Sequence, residues 1–252
     1  HTMIRFTNLG QYQSIAHFVT TRTGGTSLSP YDSLNLGFGT RDNPEHVREN
    51  RKLLSHSIQV PLESFVVGKQ VHGDRIAVVT EKDRGKGAFD YNSALDATDA
   101  MIANVPGVCV MVLLADCVPM LFYDPLGQVV GAAHAGWKGT AKLIGKKVIQ
   151  AMSDSFGCRP SDMLVGIGPS IGPCCYEVGT EVISQFEADL VDEHGHLDLW
   201  GANRRQLLKA GVLSCNIEIA EICTKCNPDR FYSERHTPGT GRFGAGIMLR
   251  GS

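Results

Sequence analysis

Val108-Cys109-Val110-Met111-Val112-Leu113-Leu114-Ala115, continued by Asp116-Cys117-Val118-Pro119-Met120-Leu121-Phe122-Tyr123-Asp124-Pro125-Leu126-Gly127-Gln128-Val129-Val130-Gly131-Ala132-Ala133-His134, is the stretch whose reading decides the fold. Its opening is an almost continuous apolar run. That suggests a strand buried on both faces, although periodicity alone leaves a helix open. Residues 119–123 and 128–134 read as two further strands. Between them, Asp124-Pro125-Leu126-Gly127 suits a type I turn, with Pro second and Gly fourth. If these four residues form a simple loop, Tyr123 faces Gln128 and Cys117 faces His134. Directly opposed side chains have Cβ atoms about 4.5–5.5 Å apart. A thiolate and an imidazole at that distance can share one metal ion. The alternative is a half-buried cysteine and a hydrogen-bonded core histidine.

Working outward, residues 14–21 and 65–72 read as strands. Asn43-Pro44 opens a helix with a cap and a proline at its first position. Val47, Leu54 and Ile58 fall on one face of it. Residues 140–156 read as a helix with Ile144, Val148, Met152 and Phe156 at four-residue spacing, stopped by Gly157. A glycine-rich loop follows at 166–172. Two helices near 181–190 and 204–212 and strands at 217–222 and 245–249 complete the chain. No repeat or long linker interrupts it. The expectation is one mixed α/β domain over residues 3–250, with His1-Thr2 as a tag remnant.

The chain has 252 residues, 42% apolar and 20% charged, as in an ordinary globular protein. Its length suffices to bury roughly 70% of the unfolded surface. The 24 basic and 26 acidic residues leave a charge of −2, which removes any general electrostatic case for nucleic acid. No apolar run approaches the roughly 20 residues of a membrane span. No signal peptide is evident, and the eight cysteines sit in a long chain with a large core, so they read as reduced thiols in a cytoplasmic protein.

A metal held by Cys117 and His134 needs a third ligand. His72 ends an apolar strand and is followed by Gly73-Asp74. Two His and one Cys form a recognised zinc set with an open fourth position. Asp116, beside Cys117, is a candidate general acid or base, or else caps the buried strand. His134-Ala135-Gly136-Trp137-Lys138-Gly139-Thr140 offers close backbone approach and a charge, suited to phosphate or ribose, or simply a tight strand-to-helix turn. Arg22-Thr23-Gly24-Gly25 offers a second anion contact or a surface turn. Cys223-Thr224-Lys225-Cys226 supplies only half a structural zinc site. With Cys174-Cys175 it reads as packing. His194-Gly195-His196 reads as a solvated loop.

The ordered set Thr21-Arg22-Thr23-Gly24-Gly25, Leu34-Asn35-Leu36-Gly37, Lys69-Gln70-Val71-His72-Gly73, Thr98-Asp99-Ala100, Ala115-Asp116-Cys117-Val118-Pro119, His134-Ala135-Gly136-Trp137, Gly168-Pro169-Ser170-Ile171, Cys174-Cys175-Tyr176 and Thr240-Gly241-Arg242 resembles the laccase-domain family. That family is also called multicopper polyphenol oxidase-like. The resemblance covers nearly the whole chain. It implies mixed β-sheets sandwiched by helices, a fold similar to certain cysteine-dependent deamidase toxins. It implies a zinc site on His72, Cys117 and His134. It also implies phosphorolysis of adenosine, inosine and methylthioadenosine, plus adenosine deamination. Asp116 and Asp99 would then move protons. Arg22, Asn35, Gln70, Lys138 and Arg242 would bind purine nucleoside or inorganic phosphate. One departure stands out: Ser233-Glu234-Arg235-His236 carries Glu234 where relatives are neutral or basic.

Two other readings remain. In one, Cys117 is a nucleophile and His134 its base, giving a hydrolase or deamidase. In the other, copper replaces zinc in a polyphenol oxidase. Nine histidines with one HxH pair cannot house a multicopper cluster. A single copper on His72, Cys117 and His134, with Met120 nearby, would be conceivable.

Overall fold

The computed structural model describes residues 3–251, so the expected tag remnant lies outside the described residues. Along the chain come α1 (Thr7–Gly10), β1 (Ile15–Val19), α2 (Pro44–Ile58), β2 (Phe65–Val67), β3 (Ile76–Val78), β4 (Ala100–Ala103) and β5 (Cys109–Leu114). There follow β6 (Val118–Asp124), β7 (Val129–Ala135), α3 (Trp137–Ala141), α4 (Ile144–Phe156), β8 (Leu164–Ile167), α5 (Thr180–Ile183), α6 (Leu199–Lys209), β9 (Ile217–Ile219) and β10 (Phe243–Leu249).

The strands form two mixed sheets, one ordered β1-β10-β5-β2 and the other β3-β4-β7-β6-β8-β9. They pack face to face. Val110, Val112, Phe243 and Ile247 from the first meet Leu121, Tyr123, Val130 and Ala132 from the second in one core. Helix α2 covers the outer face of the small sheet, where Leu54 and Ile58 meet Phe18, Phe65 and Met111. Helices α4 and α6 cover the outer face of the large sheet through Val148, Met152 and Leu207. This mixed α/β sandwich, with helices outside two sheets, is the expected fold class. Strand β5 lies between β10 and β2 and is buried almost throughout, which explains its unbroken apolar run.

The start of α2 follows its sequence. Asn43 accepts the N–H of Glu45 and Pro44 occupies the first turn. The helix expected over 140–156 is instead two helices. Leu143 takes a left-handed conformation (φ 63°) between α3 and α4. The break is stabilised from α6: Gln206 donates to the Thr140 carbonyl (2.8 Å), and Asn203 donates to the Thr140 hydroxyl (3.1 Å). The strand expected over 65–72 ends at Val67, and the helices near 181–190 and 204–212 become α5 with a short 3-10 turn and α6. The short strands β3, β4 and β8 were not apparent from the sequence pattern.

The hairpin register also differs from expectation. Asp124 faces Val129, Pro119 faces His134, and the loop is Pro125–Gln128. The reason is local. Asp124 accepts the N–H groups of Leu126 and Gly127, and Gln128 adopts φ 52°, which moves the turn one residue along. Opposed positions shift by two. An even shift preserves side-chain faces. Cys117, just before β6, therefore remains on the His134 face without standing directly opposite it.

Candidate active site

Three chain segments converge where β7 ends and β6 begins, at one end of the central strands of the large sheet. His134 lies near the end of β7, Cys117 sits one residue before β6, and His72 lies in the loop after β2. Their ligating atoms all lie within 4.8 Å of one another. The Cys117 Sγ to His72 Nε2 distance is 3.8 Å, and the two imidazoles are 5.0 Å apart in an edge-on arrangement. His134 is buried, Cys117 half-buried and His72 exposed.

Asp99, immediately before β4, organises the cluster. Its carboxylate accepts Nδ1–H of His134 at 2.8 Å. It also accepts the backbone N–H groups of Val71, His72 and Gly73 at 3.0–3.1 Å. The first bond leaves Nε2 of His134 facing the cluster. The other three hold the loop in which His72 adopts φ 58°. Burial opposes ionisation of Asp99, but these donors outweigh it and keep the carboxyl below its usual range.

The electrostatics of Cys117 and His134 are joined. Burial raises the Cys117 thiol, but the charge and hydrogen bonding of His134, with His72, bring it down to about 6. Burial lowers His134, but the Cys117 charge and the Asp99 hydrogen bond carry it up to about 9. The pair favours thiolate beside imidazolium and titrates as a unit.

The donor set fits a borderline-soft divalent metal. One thiolate and two imidazoles form a known three-ligand set that leaves a coordination position open. The space is kept by Gly136. A Cβ there would lie 3.0 Å from Cys117 Sγ and 3.2 Å from His72 Cδ2. The Asp99–His134 bond is the outer support that metal-binding imidazoles commonly have.

The cluster opens into a cleft of about 630 Å³, lined by Phe38, Tyr91, Tyr176, Trp137, Lys138, Arg235 and Arg242, among others. Gln70 and Asp116 also line it. Gln70 spends its amide on the backbone of Leu113, donating and accepting at 2.8 Å. Asp116 has φ 98°; its carboxylate accepts from the Thr224 hydroxyl (2.7 Å) and the Arg235 N–H (2.8 Å). Lys138 rests over the Trp137 ring, Nζ 5.6 Å from the centroid. Arg242 donates to Glu234 at 3.2 Å and to the carbonyls of Thr240 and Gly241 at 2.9 Å. Glu234, the departure in the C-terminal segment, thus faces the cleft and is partly neutralised by Arg242.

Two candidate substrate contacts stand outside the cleft lining. Arg22 is engaged by the Asp32 and Pro228 carbonyls (2.9 Å each), the Asp32 carboxylate and the Tyr232 ring. Asn35 is fully buried and accepts the N–H of Arg242 at 2.8 Å. Conversely, Arg235 and Tyr176 line the cleft, although no local sequence signal marks them as substrate contacts. Arg235 stacks 5.0 Å from the Tyr176 centroid. Only the fold brings these two together. Met120 belongs to the core on the opposite face of β6, against Gly145 of α4, and cannot serve as an axial ligand to this cluster.

The family profile described as multi-copper polyphenol oxidoreductase laccase matches residues 16–250. The chain belongs to that family. Laccase-family membership and the His/Cys cluster together indicate a metal cofactor. Within the laccase family, the chain is 40% identical over 255 residues to purine nucleoside phosphorylase YlmD of Bacillus subtilis, covering 97% of this chain and 91% of that protein. It is 32% identical over 250 residues to adenosine deaminase RL5 of an unknown prokaryotic organism, covering 94% and 95%. It superposes on the crystal structure of the Bacillus licheniformis hypothetical protein YfiH with a TM-score of 0.94 at 37% identity, covering 99% of this chain and 97% of that one. Among the described residues, no helix is long and apolar enough to cross a membrane.

Proposed function

We propose that the chain is a zinc-dependent purine nucleoside phosphorylase that also deaminates adenosine. The observation that carries this reading is the cluster of His72, Cys117 and His134 at the floor of a 630 Å³ cleft combining aromatic faces with cationic side chains. The names of the similar proteins point the same way. Adenosine, inosine and methylthioadenosine are the intended nucleosides, with inorganic phosphate as co-substrate. The eight free thiols suit a reducing compartment, the cytoplasm in this reading.

The residues take the following roles. His72, Cys117 and His134 would hold zinc. When bound, the ion would act as a Lewis acid toward water or a purine-side atom. Phe38, Tyr91 and Tyr176 offer apolar faces for the purine. Lys138, Arg235 and Arg242 hold phosphate by charge and stabilise the charge that develops as the glycosidic bond breaks. Among the described residues, Lys138 and Arg235 have no carboxylate within ion-pair distance. Asp116 carries a proton at its carboxylate between cleft water and the purine. Asp99, buried and saturated with donors, positions His134 and His72. Gln70 steadies the cleft wall on Leu113. Asn35 positions Arg242, and Arg22 acts through the 230–232 segment to which its backbone bonds.

Elemental analysis of freshly purified protein, paired with product detection from adenosine, tests the reading. Free adenine should require phosphate, whereas inosine should form without it. Cys117→Ala should lose both products and zinc from this site. A Cys117→Ala protein with unchanged zinc content and turnover would overturn the proposal.

The lowered Cys117 thiol favours one second reading, a Cys-His hydrolase. Stoichiometric alkylation of Cys117 that kills a metal-free, fully active enzyme would select it. Colour and dioxygen consumption with phenols at stoichiometric copper would select the oxidase reading, which the misplaced Met120 does not favour.

A further inference from the structure

Four cysteines outside the cleft converge on a second site. The vicinal pair Cys174-Cys175 lies in the turn after Gly172-Pro173, and Cys223 and Cys226 lie in the turn after β9. A parallel bridge joins Ser170 to Cys223, and the two turns exchange backbone bonds. Ser170 N–H donates to Ile222, and Thr224 N–H donates to Ser170, each at 3.1 Å. All four sulfur atoms lie within 4.8 Å of one another. The Cys174–Cys226 and Cys175–Cys226 sulfur distances are 3.7 Å and 3.4 Å. Disulfide bonds are about 2.05 Å long. Four sulfurs around a tetrahedral zinc with bonds of about 2.3 Å stand about 3.8 Å apart. The observed spacings resemble the second arrangement.

We infer that Cys174, Cys175, Cys223 and Cys226 form a closed four-thiolate site for a structural zinc ion, separate from the cleft cluster. The expectation that these cysteines are simply packing residues does not suit their positions: Cys174 and Cys226 are exposed and Cys175 is half-buried. An apolar packing role would bury them. The Cys223 sulfur also accepts the Gly172 N–H at 3.3 Å. Backbone donors of this kind offset the negative charge of a four-thiolate centre.

The site has a structural purpose. Thr224, between two of the ligands, donates to Asp116, and Ile171 N–H donates to the Asp116 carbonyl. Tyr176 follows Cys175 directly. A zinc ion there would clamp the turn that leads into Tyr176 to the turn whose Thr224 holds Asp116 at the cleft, without touching substrate. Four protein ligands leave no open position, which separates this site chemically from the three-ligand cluster.

The test is cysteine mapping on the intact zinc-loaded protein. Alkylate under native conditions, strip zinc with a chelator, alkylate with an isotopically distinct reagent, and map both labels by mass spectrometry. Cys174, Cys175, Cys223 and Cys226 should all take the second label, and native mass spectrometry should find a zinc ion that survives His72→Ala/His134→Ala. Cys226→Ser should remove that ion. If Cys226→Ser does not fold, the mapping on the unaltered protein decides. First-label modification of Cys174 and Cys226 in the zinc-loaded protein overturns the inference. So does a disulfide among the four cysteines in freshly isolated protein. Failure of the cleft proposal alone would leave this second label pattern intact.

Discussion

The Asp99 carboxylate bonds Nδ1 of His134 at 2.8 Å while accepting the backbone N–H of His72 at 3.0 Å. One buried side chain thus fixes an imidazole on a strand and the backbone of a loop that must present a second imidazole to the same point. Neither histidine could be oriented by its own secondary structure alone. His134 has a ring free to rotate about its side-chain bonds, and His72 sits in a left-handed conformation that its loop must enforce.

Asp99→Asn should therefore weaken the cleft metal more than it weakens the fold. An amide can accept some of the N–H groups but presents a donor where the carboxylate had acceptors only. Loss of such an outer partner typically costs about 10–100-fold in metal affinity or activity. Competition with a chromogenic chelator should show a drop of that order. Unchanged affinity would mean that the His134 ring is held by something else.

Gly136→Ala is a sharper probe of the cluster. Gly136 has φ −76°, which any residue tolerates, so the backbone is not strained by the change. The added methyl instead enters the space between Cys117 and His72, at 3.0 and 3.2 Å. Zinc affinity at this cluster should fall, because Cys117 and His72 must each give by a few tenths of an ångström, while the melting temperature of metal-free protein changes little. Undiminished zinc affinity in this variant would show that the ligands meet elsewhere.

How much of this was legible before the structure depends on how local each cause is. Asn43-Pro44 announced α2 because a cap acts within one turn. Val108 to Leu114 announced a central strand because burial on both faces leaves a plain apolar run. The shared face of Cys117 and His134 survived a misplaced turn because the error was an even number of residues. The break at Leu143 was invisible, since Gln206 and Asn203 of α6 stabilise it from about 60 residues away. Arg22 has the chemistry of an anion ligand, and only the fold shows that Asp32 and Pro228 already occupy it. The four-cysteine cluster was hidden for the same reason. Its halves lie about 50 residues apart and meet through the Ser170–Cys223 bridge.

Glu234 offers a test of phosphate binding in the proposed reaction. Its carboxylate engages Arg242 at the cleft wall and also accepts the Gly239 N–H at 2.7 Å. Glu234→Gln keeps the shape and removes the charge. KM for phosphate should fall several-fold, with KM for the nucleoside nearly unchanged. A rise in KM for phosphate would mean that Glu234 orients Arg242 productively rather than competing with the anion.

His17 supplies a pH test far from the cleft. It is buried on β1, where its Nε2 accepts the Phe6 N–H at 3.0 Å, a bond only the unprotonated nitrogen can make. Burial, with help from the Arg5 charge, lowers its pKa from 6.5 to about 4. Between these values the unfolded chain holds a proton that the folded chain does not. Stability therefore rises with pH across this window: it is fully present above pH 6.5 and lost as pH falls toward 4. One proton difference corresponds to a slope of up to about 1.4 kcal/mol per pH unit. Urea unfolding of the unaltered protein and of His17→Gln, followed from pH 4.5 to 7, should differ in slope by nearly that amount, with the variant flatter. Parallel slopes would show that His17 is protonated in the folded protein and that the Phe6 N–H has another acceptor.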